Sequence, residues 1–206
     1  MYYVNFFKYL VEQIHTTVVA TVDENGYPVT SAIDIMDYDE NGIYFLTAKG
    51  KGFYRRLKSK PNIALTGVKG NSTMNSIAIS ICGSVEEMGD RSLDRLIMKN
   101  PYMNEIYPTD ESKKALTVFR IYKGTGELFD LSKKPIERKS FTFGKINSKV
   151  ETYCINDKCD LCMICKTACP QQCIDFSGKI AKINNENCLY CGNCMSVCPR
   201  NAVEII

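Results

Sequence analysis

The stretch Cys159-Asp160-Leu161-Cys162-Met163-Ile164-Cys165-Lys166-Thr167-Ala168-Cys169-Pro170 is written again as Cys188-Leu189-Tyr190-Cys191-Gly192-Asn193-Cys194-Met195-Ser196-Val197-Cys198-Pro199. Every cysteine and proline recurs at an offset of 29 residues. Thiolates are soft ligands, suited to zinc or to iron and sulfide. Structural zinc sites usually pair two short Cys-Cys knuckles, whereas each triplet here is followed by Cys-Pro, so zinc fits poorly. Disulfides fit worse in a chain without secretory features. Three thiols at this spacing wrap one centre, and the cysteine before each proline starts a new element pointing away from it.

The run C-x2-C-x2-C-x3-C-P resembles that of two-cluster bacterial ferredoxins, and the resemblance covers residues 151–206. It implies two 4Fe-4S clusters with crossed ligation. Cys159, Cys162, Cys165 and Cys198 would hold one, and Cys188, Cys191, Cys194 and Cys169 the other. The same offset sets Cys173 opposite Ala202 and Phe176 opposite Ile205, so Cys173 is expected to be a small buried filler. Ile174, Phe176, Ile180, Ile183, Val203 and Ile205 are expected in short strands that close a dry shell around the clusters.

With 206 residues, 45% hydrophobic and 24% charged, the chain is globular and has room for an ordinary domain before this metal-built one. The net charge of +3 divides unevenly: residues 1–150 carry 21 basic and 17 acidic side chains, residues 151–206 five and six. Each oxidised cluster with its thiolates adds about two negative charges. The loaded protein is then near neutral, which speaks against a nucleic-acid partner. No run of about 20 apolar residues exists to span a bilayer. The apolar opening is interrupted by Lys8 and Glu12 and shows no cleavage signal, so a cytoplasmic protein is expected.

Phe6, Phe7, Leu10, Val11 and Ile14 predict an amphipathic opening helix ended by His15. This only histidine reads as a hydrogen-bonded structural residue, with haem ligation as the alternative. Residues 17–22, 28–35 and 43–47 predict three strands with Asn-Gly at each bend, the second bend spanning Asp37 to Gly42. A short basic helix precedes Pro61, and further strands are expected over 63–68, 76–85 and 116–122, with a helical insertion near Ser92 to Met98. A last hairpin falls within 123–150 and a linker over 144–153, with Cys154 as a spare thiol and Cys82 in the core. Antiparallel strands at this density predict a small barrel. Thr47-Ala48-Lys49-Gly50-Lys51-Gly52 has the lysines, hydroxyl and glycines of a phosphate loop before a helix N-terminus. The wider run of Lys49, Lys51, Arg55, Arg56, Lys58 and Lys60 reads as a solvated face, with Lys58 on its outer side.

The stretches Val18-Val19-Ala20-Thr21-Val22-Asp23-Glu24-Asn25-Gly26-Tyr27-Pro28 and Tyr38-Asp39-Glu40-Asn41-Gly42-Ile43-Tyr44-Phe45-Leu46-Thr47, with Lys60-Pro61 later, resemble the pyridoxamine 5'-phosphate oxidase family over residues 5–125. The resemblance implies a mainly β domain, an FMN-binding split β-barrel over 1–144, forming a homodimer and followed by an α+β ferredoxin-like domain over 151–206. It carries flavin contacts onto Ser31, Ala32 and Ile33, onto Thr47, and onto Lys49, Lys51 and Gly52 of the phosphate-gripping loop. Ser31 replaces the usual arginine, Met36 the usual lysine, and the Arg-x-His substrate pair has no counterpart, which argues against vitamin B6 oxidation. Haem or a deazaflavin on the same barrel remains an alternative to FMN. No catalytic acid-base pair stands out.

A flavin next to one-electron clusters predicts an oxidoreductase that exchanges single electrons with a ferredoxin-like partner or small-molecule acceptor. A non-enzymatic electron carrier or redox sensor with the same cofactors is the alternative.

Overall fold

In the computed structural model, which describes residues 2–146 and 151–206, the opening stripe forms α1 (Val4–Tyr9), which runs on into a π-helical turn over Leu10–Ile14. Its buried face docks through rings: Phe6 stacks on Phe141 at 4.5 Å and Phe7 meets Phe143 edge-on at 4.9 Å. His15 ends the turn with φ 65 and ψ −68, a conformation rare for a residue with a Cβ.

Seven strands and one helix come next along the chain: β1 (Thr16–Val22), β2 (Pro28–Asp39), β3 (Gly42–Ala48), α2 (Gly52–Ser59), β4 (Asn62–Gly70), β5 (Ser76–Gly89), β6 (Leu116–Asp130) and β7 (Glu137–Phe143). They lie in the order β3-β2-β1-β4-β5-β6-β7, and β3 pairs also with β6, so that six strands close into a barrel. The seam pairs Ile43 with Ile121, Phe45 with Phe119 and Thr47 with Thr117. Phe45 and Phe119 stack at 5.7 Å there, beside Phe53 of α2. Gly42 is required at the β2–β3 turn, since its φ is +142 and a Cβ would stand 2.1 Å from the Ile121 carbonyl oxygen.

The insertion becomes α3 (Leu93–Lys99), α4 (Met103–Ile106) and α5 (Asp110–Lys113). Leu96, Ile97 and Met103 cover the outer face of the seam, burying Met36, Tyr44, Leu46, Leu116 and Val118. Burial on both faces explains why β3 reads as a continuous apolar run rather than an alternating one. β2, β3, β4, β5 and β6 all outrun their sequence-based ends because the barrel supplies partners. β2 crosses the expected turn at Asp37 and reaches Asp39 through a bulge between Ile35 and Asp37. Cys82 is not core: it is exposed, because Ile79 and Ile81 take the inward positions of β5 and push their neighbour outward.

The C-terminal region holds β8 (Tyr153–Ile155), α6 (Ile164–Ala168), β9 (Ile174–Asp175), β10 (Lys182–Ile183), α7 (Asn193–Ser196) and β11 (Val203–Ile205). β8 pairs with β11 and β9 with β10. Ile174, Ala181, Cys194 and Val203 form its core, with Phe176 and Ile183 partly buried against it. Ile205 does not join that shell; it is exposed, alternating outward from Val203. Cys154 is not in a linker but in β8, opposite Glu204, to whose carboxylate its thiol donates at 3.6 Å. The expected linker over 144–153 falls in part outside the described residues.

The chain divides into two compact units. One holds the stretch up to Gly70, Ala78–Glu127 and the chain from Ser140; the other holds Asn71–Ile77, Leu128–Lys139 and the C-terminal region. The tip of the β6–β7 hairpin thus packs with the cysteine repeats.

Candidate functional site

The two cysteine runs fold alike. Leu161 and Tyr190, Met163 and Gly192, and Gln172 and Asn201 all have positive φ, each pair at the sequence offset of the repeat. Five of these six carry a Cβ, so the left-handed turns are costly and persist only because the surroundings enforce them. Each loop coils and leads into a one-turn helix, α6 or α7, that carries the third cysteine of its triplet, Cys165 or Cys194.

Cross-links between the repeats bring the fourth cysteines over. The Arg200 guanidinium donates to Asp160 at 2.7 Å, tying the Cys198-Pro199 end to the first triplet. Asn193 donates to the Ala168 carbonyl at 3.4 Å, tying the Cys169 end to the second. One hollow is lined by Cys159, Cys162, Cys165 and Cys198 together with Ile155, Leu161, Phe176 and Val203. The other is lined by Cys188, Cys191, Cys194 and Cys169 together with Ile174, Ile183, Tyr153 and Tyr190. Burial and the sulfurs of Cys162, Cys159 and Cys198 push the Cys165 thiol up. Burial and the Cys188 sulfur do the same to Cys194.

Among the described residues, no three Cys, His, Asp or Glu side chains converge as the ligands of one ion would. The sulfurs surround a space instead, and eight soft donors around two apolar hollows fit iron-sulfur clusters. Each set also receives a backbone donor: Tyr190 N–H to Cys188 Sγ at 3.4 Å, and Ala202 N–H to Cys198 Sγ at 3.3 Å.

Two features here had no local signal in the sequence. The Arg138 guanidinium, on the hairpin tip, lies 4.4 Å from the Tyr190 ring centroid and 5.0 Å from that of Phe129. On the same tip, Ile136 N–H donates to Gln171 and the Ile136 carbonyl accepts from Asn187. The second is the approach of the Cys173 thiol, buried as the repeat offset leads one to expect, to 3.5 Å from Cys169 Sγ.

In the barrel, Thr47, next to last in β3, has a buried hydroxyl with no hydrogen-bond partner among the described residues. An orphaned hydroxyl costs free energy unless a ligand satisfies it, so this position fits a polar group of a cofactor. Of the basic run, Arg56 donates to Thr21, Lys58 pairs with Glu87 at 2.8 Å, Lys60 donates to the Asp23 carbonyl, Arg55 to the Gly50 carbonyl, and Lys49 to the Lys114 carbonyl. Lys58 is therefore held in a partnership with Glu87 rather than standing as a screened outer charge. Lys51, the residue before α2, is exposed and unpaired among the described residues, at the positive end of that helix.

Gly52, Arg55, Arg56 and Ser59 line a hollow with Val22, Asp23 and Glu24. Ser31 and Ile33 are half-buried on β2 and Ala32 is exposed. Met36 is sealed under α3 and α4, an apolar setting that would not receive the lysine it replaces. His15 joins a hydrogen-bonded group: Tyr102 donates to Asp34 at 2.7 Å, Thr16 donates to the same carboxylate at 2.6 Å, and His15 Nε2 lies 3.3 Å from the Tyr102 hydroxyl. Burial opposes the Asp34 charge, but these hydrogen bonds and His15 outweigh it and hold its carboxyl below the usual value.

Residues 5–125 match the model of the family described as pyridoxamine 5'-phosphate oxidase, and residues 158–202 match that of the 4Fe-4S dicluster domain. No curated protein matches the chain. Among solved structures, it is similar to a NimC/NimA family protein from Clostridium acetobutylicum. That likeness has a TM-score of 0.54 at 16% identity, over 68% of this chain and 94% of that one. A protein from the same organism related to general stress protein 26, of the pyridoxinephosphate oxidase family, gives 0.53 at 20%, also over 68% and 94%. A heme binding protein from Mycobacterium smegmatis gives 0.50 at 12%, over 66% and 56%. These identities carry the fold alone. With residues 5–125, more than half of the chain, matched by the one model and the cysteine repeats matched by the other behind them, the chain belongs to the pyridoxamine 5'-phosphate oxidase family and carries a 4Fe-4S dicluster domain as a C-terminal fusion.

Proposed function

We propose that this iron-sulfur redox protein is an oxidoreductase joining two 4Fe-4S clusters to FMN, with residues 1–144 as the flavin-binding domain and residues 151–206 as the cluster domain. Cys159, Cys162, Cys165 and Cys198 hold one cluster, and Cys188, Cys191, Cys194 and Cys169 the other. When bound, FMN supplies two-electron or one-electron exchange and each cluster one-electron exchange, which suits the chain to convert between the two. The observation that carries this reading is the pair of apolar hollows, each gathering one triplet with the Cys-Pro cysteine of the other repeat.

The chain's own residues bind and orient. Thr47 offers the buried hydroxyl and Lys51 with Gly52 the positive end of α2, which together suit a phosphate; Lys49 flanks them, and Ser31, Ala32 and Ile33 line the neighbouring strand. The outer face of β1 and β4 supports a homodimer. Val18, Val22 and Val68 are exposed there at 54%, 37% and 60%, beside the small residues Ala32, Ala64 and Thr66. A face this apolar is normally covered, and the proposed cover is a second copy. With no helix long and apolar enough to cross a membrane among the described residues, a cytoplasmic location, with a ferredoxin-like redox partner or small-molecule acceptor, completes the reading.

Anaerobic purification followed by iron, sulfide and flavin analysis tests it. Iron for two clusters and released FMN are expected. Haem or a deazaflavin in the extract would replace FMN, and zinc without sulfide would end the cluster reading. A steady-state assay with candidate acceptors separates an enzyme from a plain electron carrier.

A further inference from the structure

The two cysteine sets match in ligand spacing and in left-handed turns, and each receives a backbone N–H at a different ligand: Tyr190 N–H at Cys188, the first cysteine of its triplet, and Ala202 N–H at Cys198, the Cys-Pro cysteine. Of the equivalent positions buried in both halves, Cys173 and Ala202 differ in whether the side chain can donate a hydrogen bond, whereas Ile174 and Val203 are both apolar. The repeat places Cys173 where the other half has Ala202, and the Cys173 Sγ lies 3.5 Å from Cys169 Sγ. Both residues are buried, at 8% and 1% exposure, so this difference is made in the dry interior.

A cysteine bound to iron has lost its proton and can only accept. In the loaded protein the hydrogen bond between these sulfurs therefore has one possible direction, from the Cys173 S–H to the Cys169 sulfur. Hydrogen bonds to ligand sulfur stabilise the more negative, reduced form of a cluster, and burial makes each one count for more. The opposite set lacks this donor, because the methyl of Ala202 has no proton to give.

We propose that Cys173 is a positioning residue that tunes one cluster only: its thiol donates to Cys169 and holds the reduction potential of the Cys188, Cys191, Cys194 and Cys169 cluster above the value it would otherwise have. The inference rests on the two-cluster reading given under Proposed function. It gives the two clusters different potentials through a side chain that is not a ligand.

The test is a redox titration of the full-length holoprotein, followed by electron paramagnetic resonance and iron analysis, on Cys173→Ala, Cys173→Ser and Ala202→Cys. Cys173→Ala should keep the wild-type iron content while one cluster's potential moves to more negative values and the other's stays. Cys173→Ser, which restores a donor, should bring that potential back to the wild-type value or above. Ala202→Cys, which installs a donor beside Cys198, should raise the potential of the other cluster. Wild-type potentials in Cys173→Ala at full iron would overturn the inference and leave the two-cluster reading intact. Loss of one cluster's iron in Cys173→Ala would overturn it by making Cys173 a ligand. If Cys173→Ala fails to fold, an unchanged potential in Ala202→Cys decides against it. Wild-type protein with iron for one cluster would instead overturn the two-cluster reading itself.

Discussion

Cys169 and Cys198 each stand before a proline and face the triplet of the other repeat, so single substitutions separate crossed from uncrossed ligation. Cys169→Ser should damage the cluster of Cys188, Cys191 and Cys194 and spare the other, and Cys198→Ser the reverse. Site-resolved spectroscopy of the two variants checks this, and damage confined to the mutated run's own triplet would reverse the assignment. In the barrel, Lys51 is the comparable residue. Its ammonium is exposed and makes no bond among the described residues, so Lys51→Ala changes nothing in the folded protein except the charge offered at the start of α2. A lost charge-assisted contact to phosphate should weaken FMN binding by about tenfold. Titration of FMN into the flavin-free variant measures it, and unchanged affinity would remove Lys51 from the site. Lys58 is a poor control because its substitution disturbs Glu87; Lys8, exposed on α1, serves better.

Elements are held by polar contacts of uneven legibility. Asp37, 2% exposed on β2, receives Arg95 at 2.9 Å and Lys99 from α3, and so pins the insertion over the barrel seam. Arg95 and Lys99 are both more than a third exposed, which screens the pair, so Asp37→Asn should cost about 2 kcal/mol rather than the full value of a buried pair. Urea unfolding would show it, and an unchanged midpoint would mean that Leu96, Ile97 and Met103 hold α3 alone. Glu87 offers a pH test. Burial raises its pKa, but hydrogen bonds from Lys58 and Thr117 outweigh burial and leave it lowered. A carboxylate with a lowered folded value stabilises fully above its unfolded pKa and loses that contribution as pH falls through the folded value. Thr117→Val should therefore reduce stability at neutral pH and flatten its loss in acid. None of these long-range pairs is written locally: Asp37 and Lys99, or His15, Asp34 and Tyr102, meet only because the barrel closes. The cysteine repeats were legible because ligand spacing is local, and the strands because alternation is. The exposure of Cys82 was also available, since Ile77, Ile79 and Ile81 alternate and leave it on the other face.

At the scale of the molecule, strand density and cysteine spacing indicated a barrel followed by a metal-built domain, but not that the tip of the last barrel hairpin packs with the cysteine repeats. That requires Arg138, Phe129 and Tyr190 to meet across some fifty residues of sequence, and no local pattern announces it. The outer face of β1 is a different case, because its apolar alternation runs on both sides of the strand. Thr17, Val19 and Thr21 point into the barrel, and Val18, Ala20 and Val22 point out. A one-sided sheet would place polar residues at the second set, so this outward set marks a surface that folding of one chain leaves uncovered. Val18 sits between Ala32 of β2 and Thr66 of β4, near the middle of that surface. Val18→Lys would place a strongly hydrated charge there without touching the barrel interior, and it should convert the proposed dimer to monomer while circular dichroism and iron content stay as in the wild type. FMN affinity should fall with dimerisation, because the site proposed beside Ser31 to Ile33 borders the same face. Light scattering on both proteins at one concentration decides: a Val18→Lys variant that remains dimeric moves the subunit contact elsewhere, and one that is monomeric yet binds FMN normally places the flavin within a single barrel.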